Sequence, residues 1–141
     1  MYRLNIKYLD HYTLDKKITF PRFGDVGIDM FSLEDCSLKE GEVKLLSTGI
    51  AMELPSGFWL SLRDRSSCSK YFSVLAGVID NNYRGEIKVR VLPHTDYLIS
   101  RGDKIVQGII CKDFNFTFSL QEVDVLSETL RDKEGFGSTG K

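Results

Sequence analysis

The sequence has few of the residues from which metal and redox sites are usually built. Only two histidines and three cysteines occur among 141 residues. His11 and His94 stand in no zinc-like spacing such as HExxH, so a zinc site or a histidine-based triad has little support, and both are expected to be surface or packing residues. Cys36, Cys68 and Cys111 form no CxxC pair, and we expect them to be buried, reduced thiols.

Long apolar runs are absent too. No stretch approaches the ~20 apolar residues of a membrane-spanning helix. Residues 2–12 interleave charged and apolar side chains and therefore lack the continuous hydrophobic stretch of a signal peptide. These features predict a soluble, intracellular, cytoplasmic protein with no membrane partner.

Neither sign of charge is in excess. Nineteen basic and twenty acidic side chains give a formal net charge of -1. Such a chain exerts no long-range attraction on a nucleic-acid backbone, so we expect no nucleic-acid partner, and any phosphate binding must be local. The chain also has neither GxxxxGK[ST] nor a strand-linked GxGxxG, which excludes the two commonest nucleotide-binding loops.

The sequence is rich in short segments that alternate apolar and polar residues. Tyr2, Leu4, Ile6 and Tyr8 share one face of the first. The others are residues 28–31, 43–46, 50–54, 58–62, 74–78, 86–92, 104–111 and 114–120, separated by polar turns. This pattern predicts an all-β antiparallel sandwich, barrel or jelly roll. At most one short helix is expected, following Arg65 and running through residues 68–71.

The C-terminal residues differ from the rest. Residues 127–141 are polar and glycine-rich, with Leu130 and Phe136 as the only large apolar side chains. We therefore expect one domain over residues 1–126 and a mobile tail over residues 127–141. Residues 114–126 are a candidate arm that pairs with a neighbouring copy.

Three segments concentrate anion-binding or buried-charge chemistry. Residues 63–70 (RDRSSCSK) offer guanidinium groups, hydroxyls and free amides that could cradle a phosphate. Residues 135–140 (GFGSTG) follow Arg131 and could close their amides and hydroxyls around phosphate oxygens, with Phe136 over a flat base. Taken singly, the first is more commonly a solvated charged loop and the second a disordered end.

The third segment, residues 77–86 (GVIDNNYRGE), places a polar hairpin tip between two apolar strand ends. Hairpin backbone can bind the edge of a base as an added strand would. Asp80 follows Val78 and Ile79 directly, so we expect it to be partly desolvated and able to orient and deprotonate water. On its own, a turn-forming aspartate is the commoner interpretation.

In this order, the segments resemble the five motifs of the trimeric dUTPase family, from about residue 24 to residue 140. The matching segments are residues 25–32 (DVGIDMFS), 65–67 (RSS), 77–87, 102–107 (GDKIVQ) and 131–140. Asp64 stands where the family commonly has proline, and Lys104 where it commonly has arginine. The joint match of all five segments is specific.

The resemblance implies an antiparallel jelly-roll domain of the β-clip, dUTPase-like type, assembled as a homotrimer with active sites shared between subunits. It implies hydrolysis of dUTP to dUMP and pyrophosphate, which limits uracil incorporation into DNA and supplies dUMP for thymidylate synthesis. Asp80 would hold the catalytic water and Gln107 would help to orient it. Tyr83 would pack on the deoxyribose, and the backbone of Gly77, Val78 and Ile79 would bind uracil.

The resemblance also implies which residues lie near the phosphates and the metal ion. Asp29 would shape the site, and Mg²⁺ would bind through the phosphate oxygens, with at most a water-mediated contact to Asp29 and no direct protein ligand. The tail would close over the substrate, with Phe136 on the uracil. The residues expected to bind substrate in the phosphate region and tail are Arg65, Ser66, Ser67, Arg131, Phe136, Gly137, Ser138 and Thr139; within this set Ser66 would lie near the scissile α,β linkage.

Three alternatives stay open. The related dCTP deaminases share the jelly roll and an Arg-Ser-Ser motif. In those enzymes the base is a glutamate at the position that Arg90 occupies in this chain, so a deaminase function would lack its base here. A non-enzymatic nucleotide sensor would not need Asp80, Tyr83 and Gln107 together. A purely structural jelly roll would not require the tail.

Overall fold

The structure, a computed structural model, describes residues 1–115 and 117–137. Within these ranges the chain forms eleven strands and no helix. The strands are β1 (Asn5–Tyr8), β2 (Gly27–Phe31), β3 (Cys36–Leu38), β4 (Lys44–Ser47), β5 (Ile50–Glu53), β6 (Phe58–Arg63), β7 (Phe72–Leu75), β8 (Val78–Ile79), β9 (Lys88–Pro93), β10 (Tyr97–Ile99) and β11 (Lys104–Lys112). The all-β prediction is confirmed.

In the described part of the chain, the strands pair only with antiparallel neighbours and form four small sheets. A four-stranded sheet has the order β2-β11-β6-β8, and a three-stranded sheet has the order β4-β9-β7. β1 pairs with β5, and β10 pairs with β3. Most neighbours are distant in sequence, so long-range pairing rather than local hairpins defines the fold.

Alternating residues of these strands fill one core. On β9, Val89 and Val91 are fully buried while Lys88 and Arg90 face solvent, which is the period-2 pattern of a sheet with one covered face. The other fully buried large side chains include Met30, Leu38, Ile50, Leu60, Phe72, Ile87, Ile105 and Val106. Burial of this apolar surface is the main favourable contribution to folding.

A β-bulge in the pairing of β2 with β11 decides which side chains share a face. Lys104 pairs with Phe31 and Gln107 with Asp29, with the register shift between Lys104 and Val106. In a regular strand, residues three apart point to opposite faces. The extra residue of the bulge restores Lys104 and Gln107 to one face, together with Asp29.

The residues after Arg65 form a pair of turns rather than a helix, closed by the amides of Ser69 and Phe72, which agrees with the expectation of at most one short helix. Two strand predictions were wrong. The single strand expected over residues 74–78 is broken between β7 and β8, where Ala76 and Gly77 have φ of 60° and 87°. A left-handed backbone cannot continue a strand. The strand predicted over residues 114–120 is absent from the part of it that the structure describes, residues 114–115 and 117–120.

The hairpin expected across residues 77–86 also differs from the structure. β8 pairs with β6, whereas β9 pairs with β4 and β7, so the two strands that flank the turn belong to different sheets. Of the three free cysteines, Cys36 and Cys68 are buried, but Cys111 is only half-buried. The described residues contain no helix of the length and apolarity needed to cross a bilayer.

Candidate active site

Asp29, Arg65 and Lys104 form a cluster of charges, called the charged cluster below. Arg65 Nε donates to Asp29 Oδ1 at 2.9 Å, and Lys104 Nζ lies 2.8 Å from Asp29 Oδ2. Arg65 leads into the turn after β6, while Asp29 and Lys104 come from the bulged pair β2 and β11. Each carboxylate oxygen thus holds one cation, and Arg65 Nη1 also donates to Ser67 Oγ at 3.1 Å.

The two cations set the protonation of this carboxylate. Partial burial by itself would raise the pKa of Asp29, but hydrogen bonds from Lys104 and Arg65 outweigh it and hold that pKa below its ordinary value of 3.8. Asp29 is therefore ionised at neutral pH. One carboxylate balances two cations, which leaves the cluster with a net positive charge suited to an anion.

A pocket of about 510 Å³ opens beside the charged cluster. Its charged lining residues include Lys16, Arg65, Lys70 and Lys104, and Asp103 is the acidic one. One wall is aromatic, because the rings of Tyr71 and Tyr97 stack at 4.1 Å between centroids. A cationic pocket of this size accommodates a short chain of phosphates.

Gln107 is held on the same face of the sheet as Asp29. Its Nε2 donates to the carbonyl oxygen of Asp64 at 2.8 Å, and the Asp64 carboxylate in turn accepts a hydrogen bond from the Val74 amide. The side chain of Gln107 lies across Gly27, where an added Cβ would be 2.1 Å from Gln107 Oε1. Glycine at position 27 therefore leaves room for the Gln107 amide.

A second, smaller pocket contains Asp80 and is called the Asp80 pocket below. It measures about 180 Å³ and is lined by Val78, Ile79, Asp80, Tyr83, Glu86 and Lys88. Asp80 itself is exposed in the single chain, so the expected partial desolvation is wrong for one chain alone. The Tyr83 amide donates to the Asp80 carbonyl at 3.1 Å and closes the turn.

Three contacts stiffen this turn. The Asn81 side chain donates to the carbonyls of Pro55 and Phe58, both at 2.8 Å. The Tyr83 hydroxyl donates to the Glu86 carbonyl at 2.8 Å, and its ring lies so close to Gly85 that an added Cβ would approach the hydroxyl oxygen to 2.5 Å. The turn thus presents Tyr83 and Asp80 to the same pocket.

Strand register separates Asp80 from Gln107 within one chain. Ile79 pairs with Leu60, and Gln107 pairs with Arg63, which is three residues further along β6. Three residues span about 10 Å along a strand, and two inter-strand spacings add about 10 Å across the sheet, so Ile79 and Gln107 are about 14 Å apart. One chain therefore does not bring Asp80 and Gln107 to the same water molecule.

The remaining predicted site residues lie at the start of β8, in the turn after Arg65 and in the C-terminal tail. Gly77, with its carbonyl bonded to the Leu62 amide, is buried and precedes β8, the edge strand of the four-stranded sheet. Ser66 is exposed in the turn after Arg65.

The third place is the tail, where Arg131 Nε donates to the Glu134 carbonyl at 3.0 Å and the exposed Phe136 precedes Gly137. Ser138 and Thr139 lie outside the described residues.

Metal binding by protein groups alone has little support in this structure. No cluster of three or more His, Cys, Asp or Glu side chains suited to a metal occurs within residues 1–115 and 117–137. Both oxygens of Asp29 already hold cations. This donor set does not fit direct ligation of Mg²⁺, which favours several oxygen ligands, but it leaves room for an ion carried by phosphate oxygens.

Two residues that line these pockets were not assigned a role from the sequence. Lys104 forms an ion pair with Asp29. The feature of the sequence that could have indicated its orientation is the pair of consecutive apolar residues, Ile105 and Val106, at the bulge. Glu86 lines the Asp80 pocket with a carboxylate that is only 14% exposed. The sequence places Glu86 next to the turn but contains no signal for its burial.

The fold and the two pockets define an all-β protein with a cationic pocket beside a cluster of fixed charges. A sequence model of the dUTPase family matches residues 16–140. The deoxyuridine 5′-triphosphate nucleotidohydrolase of Clostridioides difficile is 36% identical over 146 residues, covering 99% of each chain. The chain therefore belongs to the dUTPase family.

Solved structures agree on the fold. A dUTPase of Staphylococcus bacteriophage 80alpha, with bound dUPNHPP, superposes with a TM-score of 0.83 at 22% identity over 99% of each chain. A dUTPase of phage phi11 of S. aureus, described with a coordinated structural Mg(II) ion, has a TM-score of 0.73 at 20% identity, covering 89% of this chain and 99% of that one. The jelly-roll prediction is confirmed by this likeness.

Proposed function

We propose that this protein hydrolyses dUTP to dUMP and pyrophosphate. Family membership supports the reaction. The observation that carries it is the charged cluster, in which Arg65 and Lys104 are fixed by Asp29 beside a cationic pocket. Cations positioned before the substrate arrives stabilise the charge that develops as pyrophosphate leaves.

The chemistry assigned to Asp80 is the orientation of a water molecule. The water oxygen attacks the α-phosphorus while the bond from that phosphorus to the α,β-bridging oxygen breaks, and Asp80 accepts the water proton. Gln107 orients the same water, and Ser66 donates to the phosphate chain near the scissile bond. Arg65 and Ser67 hold the triphosphate.

Recognition of the nucleoside belongs to residues 77–83 in this proposal. β8 is the edge strand of its sheet, so the outer backbone groups of Val78 and Ile79, after Gly77, are free to pair with the edge of uracil. Tyr83 packs on the deoxyribose and excludes a 2′-hydroxyl. The tail then closes, with Phe136 over the base and with Arg131, Gly137, Ser138 and Thr139 on the terminal phosphate.

Magnesium is the proposed cofactor. The related phage phi11 enzyme is described with a structural Mg(II) ion. Here the ion would bind the phosphate oxygens, with Asp29 at most a neighbour through water, and it would neutralise phosphate charge.

The proposed active form is a homotrimer whose sites combine residues of different copies. The 14 Å separation of Ile79 from Gln107, estimated from strand spacing, supports this, because one water must lie within hydrogen-bond distance of both Asp80 and Gln107. Residues 114–126 also support it. They follow β11 and carry these exposed apolar side chains: Phe114, Phe118, Leu120, Val123, Val125 and Leu126. We propose that this arm pairs with a neighbouring copy, and that residues 127–141 form the separate tail.

The free thiols support a reducing, intracellular location for this reaction. There, the enzyme would limit uracil incorporation into DNA and supply dUMP for thymidylate synthesis.

Substrate selectivity tests the reaction directly. The purified protein is incubated with magnesium and, separately, with dUTP, UTP, dTTP and dCTP, and pyrophosphate and nucleoside monophosphate are quantified. We expect selective formation of dUMP, abolished in Asp80→Asn. Absence of dUTP turnover by folded protein would refute the hydrolase function. Release of ammonia from dCTP would indicate a deaminase, but this chain has the exposed Arg90 where the deaminases have their base.

Subunit complementation tests the shared site. Asp80→Asn and Gln107→Ala are each expected to be inactive alone. Mixed trimers prepared by co-refolding regain activity, because some sites combine an intact Asp80 with an intact Gln107 from another copy. No recovery in verified mixed trimers would place both residues in one subunit's site.

A further inference from the structure

Glu86 lies at the end of the Asp80–Tyr83 turn, with its carboxylate directed into the protein rather than into solvent. Only 14% of the side chain is exposed. Its Oε1 accepts from the Gly49 amide at 2.9 Å and from the Ser47 hydroxyl, and His11 Nε2 lies 3.0 Å away. A carboxylate that accepts several hydrogen bonds is held in one position.

Hydrogen bonds to the Glu86 carboxylate keep this group ionised. Burial alone would raise the pKa of Glu86, but hydrogen bonds from His11, Ser47 and the Gly49 amide lower it below its ordinary value. Lys88 Nζ, at 3.9 Å from Oε2, adds a positively charged neighbour. The carboxylate is therefore a charged anchor at neutral pH.

This anchor fixes the main chain that follows it. The Ile87 amide donates to the Ile50 carbonyl at 2.8 Å, and the Thr48 hydroxyl donates to the Ile87 carbonyl. Residues 86 and 87 are thus tied by side chain and backbone to the corner between β4 and β5. The same contacts hold the Glu86 carbonyl oxygen in place. This oxygen accepts a hydrogen bond from the Tyr83 hydroxyl at 2.8 Å.

We propose that Glu86 is a positioning residue that fixes Tyr83 against the sugar and thereby sets the preference for deoxyribose over ribose. The inference rests on the proposed function, because it assumes that Tyr83 contacts the sugar. Glu86 acts through the Tyr83 hydroxyl and touches no reacting atom. A small displacement of its carbonyl releases that hydroxyl and lets the ring move away from the sugar.

The test compares dUTP with UTP, each as substrate, and UTP also as a competitive inhibitor. In Glu86→Ala we expect the ratio of kcat/KM for dUTP over UTP to fall about fivefold or more, mainly through KM for dUTP. Glu86→Gln keeps the chain length and one carbonyl acceptor, so a smaller loss is expected. Asp96→Asn is the matched control, since the Asp96 carboxylate also accepts a backbone amide, that of Glu40 at 2.9 Å, in another loop.

A double-mutant cycle with Tyr83→Phe separates positioning from general destabilisation. If Glu86 acts through the Tyr83 hydroxyl, Glu86→Ala lowers the dUTP/UTP ratio no further once that hydroxyl is gone. Equal loss of both activities, an unchanged ratio, or additive effects in the cycle would overturn the proposal. If Glu86→Ala does not fold, Glu86→Gln provides the same cycle. An inactive parent protein would refute the proposed function itself, and the inference with it.

Discussion

Asp29→Asn removes the negative charge that holds Arg65 and Lys104 together. The wild-type contacts measure 2.9 Å and 2.8 Å, and the side chains of Arg65, Asp29 and Lys104 are 25%, 29% and 48% exposed. Exposed ion pairs contribute about 0 to 1 kcal/mol, and breaking a fully buried one costs about 3 to 5 kcal/mol. The charged cluster is partly exposed and its energy should lie between these two cases. We therefore expect the free energy of unfolding to fall by about 1 to 2 kcal/mol, with a fall in Tm of about 3 to 6 °C.

The effect has a defined pH dependence. The pKa of Asp29 in the folded protein lies below its ordinary value of 3.8, so the folded state binds this proton less readily than the unfolded state. Its stabilising contribution is therefore complete well above the ordinary value of 3.8, begins to fall as the pH approaches that value, and disappears as the pH falls through the lowered folded value. The difference between wild type and Asp29→Asn should be constant from about pH 7 to about pH 5 and shrink below that window.

Urea unfolding at fixed protein concentration measures this difference, because an oligomer's apparent stability depends on concentration. The single tryptophan, Trp59 on β6, is the fluorescence probe. Glu53→Gln is the control, since Glu53 forms an exposed ion pair with Arg84 at 3.5 Å and should change stability by less than about 0.5 kcal/mol. An unchanged midpoint in Asp29→Asn at neutral pH, or a difference that persists in acid, would refute the reasoning.

Three further outcomes are expected. Gly27→Ala places a methyl group on the Gln107 amide, so dUTP turnover should fall about tenfold or more while thermal unfolding shows a folded protein; parental kcat would contradict this. Gly77→Ala adds left-handed backbone strain and a 2.6 Å clash with a carbonyl oxygen, and it should lower the free energy of unfolding in urea by about 2 to 3 kcal/mol. The control, Gly57→Ala, has a similar φ but open space and should cost about 1 kcal/mol. Equal costs for the two variants would exclude the clash as the cause. Deletion of residues 127–141 should leave the oligomer intact by sedimentation and raise KM for dUTP about tenfold; dissociation of the oligomer would show that this segment is structural.

The strands were predictable where their alternation was strong. β9 follows an uninterrupted period of two, and the prediction for residues 86–92 differs from it by two residues at its start and one at its end. β3 and β10 were not predicted, because each has three residues and is stabilised by pairing with the other across about 60 residues of sequence. A strand that short carries too little local signal to be identified.

The left-handed turn at Ala76 shows a different limit. Alanine rarely has positive φ, and the apolar residues around it suggest one continuous strand. The chain turns there because β7 belongs to one sheet and β8 to another. Long-range pairing overrides the local preference of residue 76.

The sequence by itself determined the all-β class, the separate composition of the tail and the residue types of the site, because period-2 burial and side-chain chemistry are local properties of the chain. Tertiary structure alone decided that the bulge places Lys104 and Gln107 on one face with Asp29, and that Asp80 lies in a different pocket. Those arrangements depend on strand register. Register is set by pairing between distant segments, and a shift of one residue turns every side chain to the opposite face.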